Sequence, residues 1–139
     1  MSVNTKPIGV AYEDQNIIGA DKILSSGELG YAVDAQGVVT QATSKATAVT
    51  LNKSAGRITM NNAALAGNTA VSFTLNNSYI SNNDILVLTI SGGSLADATT
   101  YTAYVSSLSA GSAVITLRNF TATSQSEAVV VNFALIHCA

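Results

Sequence analysis

Apolar residues recur at alternate positions in short runs along most of the chain, and this pattern predicts strands. In residues 70–75, Val71, Phe73 and Leu75 fall on one face, with Ser72 and Thr74 opposite. In residues 113–118, Ala113, Ile115 and Leu117 alternate in the same way with Thr116 and Arg118. A period of two places such residues on one side of a pleated strand. Further β-rich runs predict strands over 38–41, 46–51, 57–60, 85–90, 101–106 and 127–136. The stretches between them are dense in Asn, Gly and Ser, the residues of tight turns. No segment sustains a period of 3.6, and "NNAALAG" has room for one helical turn at most. Eight short strands separated by turns predict an all-β fold, an antiparallel β-sandwich or jelly-roll-like domain. Strand order is left open.

Two of these runs break the alternation. Residues 85–90, "ILVLTI", are apolar on both faces apart from Thr89. Residues 128–136, "AVVVNFALI", place Val129, Val131, Phe133 and Leu135 on one face and Ala128, Val130, Ala134 and Ile136 on the other. A sandwich gives each sheet only one dry face. At about 25 cal/mol per Å², four aliphatic side chains left in water forfeit several kcal/mol, so the second face calls for a cover. A subunit contact would supply it, and Val129, Val131, Phe133 and Leu135 are the candidate interface residues.

The first 36 residues read differently. Eight of the fourteen charges fall within residues 1–45, together with the only proline, Pro7. Residues 1–36 are expected to form an extended N-terminal arm, and residues 37–139 the β domain. The arm's apolar side chains, among them Ile8, Val10, Tyr12, Ile17 and Ile18, are too many for a linker and suit docking on a partner.

Composition narrows the function. Charged residues make up 10% of the chain and the net charge is -2. Nucleic-acid binding needs clustered Lys and Arg, which are missing here. No apolar run reaches the roughly 18–20 residues of a membrane helix, and no signal-peptide pattern opens the chain, so a soluble protein is expected. The one cysteine, Cys138, excludes an intrachain disulfide.

Candidate chemistry is sparse. His137 and Cys138 are strand neighbours that point to opposite faces, which argues against a nucleophilic pair and favours a frayed terminus. Asp84 in "SNND" and Asp97 in "LADA" stand in turns, where Asp caps backbone amides rather than pairing for glycoside hydrolysis. Glu13 and Asp14 lack the spacing of a calcium loop. Tyr79, Tyr101 and Tyr104 offer a stacking platform for a sugar, although tyrosine on strands is also ordinary sheet packing. Catalytic, metal-binding and cofactor-binding residues are therefore expected to be absent, and no enzyme activity is expected.

The words "TLNKSAGRITMNNAALA" and "SEAVVVNFALI", within residues 37–139, resemble a small β domain of tailed-bacteriophage virion proteins. Such domains occur in capsid decoration, or cement, proteins and in tail fibres. The resemblance implies a homotrimer without catalytic residues. It also implies a place on the virion capsid surface, after synthesis in the bacterial host cytoplasm. The short arm favours a decoration protein bound to the major capsid protein over a fibre, which needs an anchor and a shaft. A short tail fibre or receptor-binding protein, and a carbohydrate-binding module with a glycan partner, are the alternatives.

Overall fold

A computed structural model describes residues 19–92 and 99–138. The expected all-β sandwich is borne out, and the eight predicted strands are all present. They are β1 (Gln36–Thr40), β2 (Val49–Thr50), β3 (Ala55–Thr59), β4 (Ala70–Asn76), β5 (Ile85–Gly92), β6 (Tyr101–Ser109), β7 (Ser112–Asn119) and β8 (Val130–Ile136). The only helical piece among the described residues is a 3₁₀ turn at Val33–Ala35, and "NNAALAG" forms none.

The strands make two four-stranded sheets. Sheet A has the order β1-β3-β8-β5 and sheet B the order β2-β4-β7-β6. The central pairings are antiparallel. The pairs β1–β3 and β2–β4 are parallel, so one edge of each sheet departs from a purely antiparallel pattern. From β3 onward the chain moves repeatedly between sheets, and only β6–β7 is a hairpin of sequential neighbours. Its two-residue loop, Ala110-Gly111, places Gly111 at φ +79°, a conformation that glycine enters without steric cost.

Between the sheets lies one apolar core. Ile58, Phe73, Leu75, Ile115, Leu117, Val131, Phe133 and Leu135 are all buried there. Gly56 is needed at its position, because a Cβ would lie 2.5 Å from Leu51 Cδ2 and 2.7 Å from Phe133 Cε1. The two ends of the sandwich are closed by loops tied through buried polar side chains. Asn119 donates to the carbonyls of Leu65, Ala66 and Thr123, and its Oδ1 accepts from the Thr121 N–H and hydroxyl. Asn77 donates to the Lys53 carbonyl and accepts from the Tyr79 N–H.

β2 is shorter than the run 46–51 suggests. Residues 44–47 close a turn, with the Thr47 N–H donating to the Ser44 carbonyl and the Ser44 N–H to Thr47 Oγ1. That turn sends Lys45 inward. Its Nζ donates to the carbonyls of Asn61 at 2.5 Å and Glu127 at 2.6 Å.

The chain divides between Gly30 and Tyr31, a little before the expected boundary at 36/37. Tyr31 belongs with the β domain, because its hydroxyl donates to the Leu135 carbonyl and its carbonyl accepts from Gln36 Nε2. Residues 19–30 contain no strand or helix. Ile8, Val10, Tyr12, Ile17 and Ile18 lie outside the described residues.

Candidate functional site

β8 decides where an exposed apolar surface lies. Val129, Val131, Phe133 and Leu135 are between 0 and 3% exposed and form the centre of the sandwich core. They therefore do not serve as interface residues on the folded chain. The apolar double face of this strand is real, but the face turned to the other sheet is the odd-numbered one.

The even-numbered residues point outward. Register aligns them into rows across sheet A: Gln36, Ala55, Ala134 and Val87 in one, and Val38, Arg57, Asn132 and Thr89 in the next. Ile136 pairs with Ile85 at one end of the face. Val38 is 77% exposed, Ile85 54% and Ile136 51%, with Val87 also exposed. A polar stripe crosses the middle of this aliphatic surface. Arg57 Nε donates to Asn132 Oδ1, and Asn132 Nδ2 to Thr89 Oγ1, each at a long 3.4 Å. A groove of about 520 Å³ opens beside the stripe, bordered by Val33, Gln36, Val38, Ala55, Arg57, Asn132 and Phe133.

The outer face of sheet B has a different chemistry. Ser72 Oγ and Thr116 Oγ1 are 2.8 Å apart, and Thr116 Oγ1 lies 2.9 Å from Ser106 Oγ. Ser72 and Ser106 are exposed at the two ends of this ladder, while Thr116 between them is buried and its hydroxyl is satisfied by theirs.

The three tyrosines are not brought together. Tyr101 is 2% exposed and belongs to the core, while Tyr79 lies in the loop between β4 and β5 and Tyr104 stands on β6 opposite Thr116. Burial, and then the neighbouring Glu127 carboxylate, push the Tyr101 hydroxyl up to about 12. Burial lowers the Lys45 ammonium from its ordinary range, partly offset by Glu127.

The C-terminal segment is not frayed at His137 and Cys138. Asp84 accepts the Ser81 N–H at 2.8 Å and the Cys138 N–H at 3.1 Å, and its Oδ2 lies 3.0 Å from His137 Nδ1. The Ser81 amide leads in holding this carboxyl well below the usual carboxylate range, with further hydrogen bonds from Ser81, Cys138 and His137. The turn-capping role expected of Asp84 is thus accompanied by a second one, tying the end of β8 to the turn before β5. Asp97 lies outside the described residues. His137 and Cys138 do not face each other as a reactive pair: Nδ1 is directed at Asp84, and Cys138 Sγ approaches the Ile136 carbonyl.

Among the described residues, no three His, Cys, Asp or Glu side chains cluster as metal ligands, and no helix is long and apolar enough to cross a membrane. Comparison with family models, curated proteins and solved structures finds no match.

Arg57 and Asn132 did not stand out in the sequence. Their partnership depends on the register of β3 against β8, and nothing in either strand's own pattern records that register. The only signal was Asn132 itself, the one polar interruption of "AVVVNFALI".

Proposed function

We propose that this chain is a structural virion protein, a homotrimeric capsid decoration protein that binds the outer surface of the head and reinforces it. The observation that carries this reading is the contrast between the two outer faces. Sheet B presents the Ser72 and Ser106 hydroxyls beside the single ring of Tyr104, while sheet A presents four aliphatic side chains, Val38, Ile85, Val87 and Ile136, to solvent. Apolar area of that kind, next to a stable core, suits burial against other protein. The resemblance of residues 37–139 to phage virion domains supplies the identity of the assembly, and the major capsid protein is the partner it implies.

The test has two parts. Light scattering of the purified chain is expected to give the mass of a trimer, and Val87→Asp with Ile136→Asp is expected to reduce it to a monomer that melts cooperatively. Incubation with matching capsids lacking the protein is expected to show saturable binding at symmetry-related positions. A stable monomer that ignores such capsids would end this reading.

A glycan-binding role is the second reading, favoured by Tyr104, which stands half exposed beside the sheet B hydroxyls. Sugars stack on such rings. A glycan array separates the two readings, since a decoration protein is expected to be silent on it.

A further inference from the structure

Sheet A ends on one side in β5, and the hydrogen bonds of β8 show which backbone groups of that edge are left over. The Leu135 N–H donates to the Ser54 carbonyl, and the Val129 carbonyl accepts the Met60 N–H. The odd-numbered residues of β8 thus turn their backbone groups toward β3. Its even-numbered residues bond β5, through the opposed pairs Ile136–Ile85, Ala134–Val87 and Asn132–Thr89. Leu86, Leu88 and Ile90 are left with their N–H and C=O groups on the open edge, and among the described residues no hydrogen bond from elsewhere reaches them. We propose that this edge pairs with the same strand of a second copy of the chain, antiparallel about a two-fold axis. The inference goes beyond the decoration reading and does not rest on it, since it concerns the edge of sheet A and not its outer face.

β5 lacks the usual guards against such pairing. Edge strands are commonly protected by lysine, by proline or by a bulge that breaks their line. β5 reads "ILVLTISG", without charge or proline, and its one register shift falls at its end, between Ile90 and Gly92. The other edges are less suited. β2 has two residues, β1 has five, and β6 shifts register in its middle, between Val105 and Ser107. Leu88 and Ile90 share the core-facing side of β5 with Leu86 yet are only half-buried, so the sandwich is not sealed along this flank.

A second copy fits because the edge matches itself. Backbone bonding sets even-numbered residues opposite even-numbered ones, and one register pairs Leu86, Leu88 and Ile90 entirely among themselves. In it Leu88 lies opposite Leu88 of the second copy, and Leu86 opposite its Ile90. Each pair exchanges both of its backbone bonds. The half-buried Leu88 and Ile90 are then covered by the same side chains of the copy, which closes the flank. On the outer side Val87 stands opposite Thr89 of the copy, a β-branched pair of the kind that stabilises neighbouring strands. Moving the axis by one residue sets Ile90 against Asp84, whose carboxylate is committed to Ser81 and Cys138, or Leu86 against Gly92. A two-fold contact uses up both edges, so the pairing closes instead of growing into a fibre.

Hydrogen exchange and cross-linking of the full-length chain test it. In dilute protein the Leu86, Leu88 and Ile90 amides are expected to exchange about tenfold faster than those of Val87 and Thr89. Raising the concentration is expected to slow those three about tenfold, while the light-scattering mass rises to twice that of the dilute unit. For the register, Cys138→Ser removes the native thiol, and chains carrying Val87→Cys or Thr89→Cys are mixed under mild oxidation. The mixed 87–89 disulfide is expected to form about tenfold faster than 87–87 or 89–89 links, because only that pair is directly opposed. The inference is overturned if the three amides are protected at every concentration, since the chain itself then covers the edge. It is equally overturned if they stay unprotected when concentrated, if the mass does not rise, or if the three disulfides form at one rate. The doubling is read from whichever unit exists in dilute solution, trimer or single chain, so this inference and the decoration reading fail separately.

Discussion

Single buried polar residues hold this molecule's loops, and their substitution has consequences out of proportion to their size. Asn119 satisfies three carbonyls and accepts two donors in a space without water access. Asn119→Leu leaves several of these groups unpaired, and a loss of about 3 kcal/mol is expected in urea unfolding. Gly67 makes a different demand. A Cβ there would lie 2.4 Å from the Ala122 carbonyl carbon and oxygen, which are backbone atoms that yield only with their whole loop. Gly67→Ala is therefore expected to cost about 2 kcal/mol, read as a lower urea midpoint with an unchanged slope. Asp84 sets an acid limit. Its carboxyl is held below the unfolded value of 3.8, so its contribution is present above about pH 4 and is lost as the pH falls further. Asp84→Asn is expected to flatten this part of the stability profile and to raise hydrogen exchange at the Cys138 amide.

At the scale of the strand, parity separates core from surface. β8 reads as apolar throughout, yet neighbouring positions have opposite fates: Val131 is fully buried between the sheets, and Asn132 lies on the outer side. Val131→Asp is expected to prevent cooperative folding, because it places an unpaired carboxylate in the core. Val87→Asp, on the outward side of β5, is expected to leave the melting transition nearly unchanged and to act only on association. A light-scattering mass together with a thermal melt distinguishes the two, and equal loss of fold in both variants would refute the assignment of faces. The strands themselves were legible from alternation and turn residues, because those signals are local. β2 was the weak case. Its expected span, 46–51, begins next to Lys45, whose side chain reaches carbonyls at Asn61 and Glu127, 16 and 82 positions away, while residues 44–47 close a turn.

The whole molecule combines these local devices into an alkaline response with two opposing parts. The Tyr101 hydroxyl titrates near 12 in the folded chain instead of 10, so its stabilising contribution is complete below pH 10 and is lost as the pH rises toward 12. Lys45 works in the other direction: its lowered value means that folding becomes more favourable as the pH rises through the folded pKa toward 10.5. Tyr101→Phe is expected to remove the high-pH decline, and Lys45→Met the rise that precedes it, in urea titrations between pH 8 and 12. Composition and alternation by themselves determined a β-sandwich with little charge and a closing strand apolar on both sides, since side-chain period and turn chemistry are properties of neighbours in sequence. Only the tertiary structure decided which side of that strand is the core, that two edge pairs run parallel, and that Arg57, Asn132 and Thr89 form one stripe. Strand order and register bring together residues that are scores of positions apart, and no local pattern carries that information.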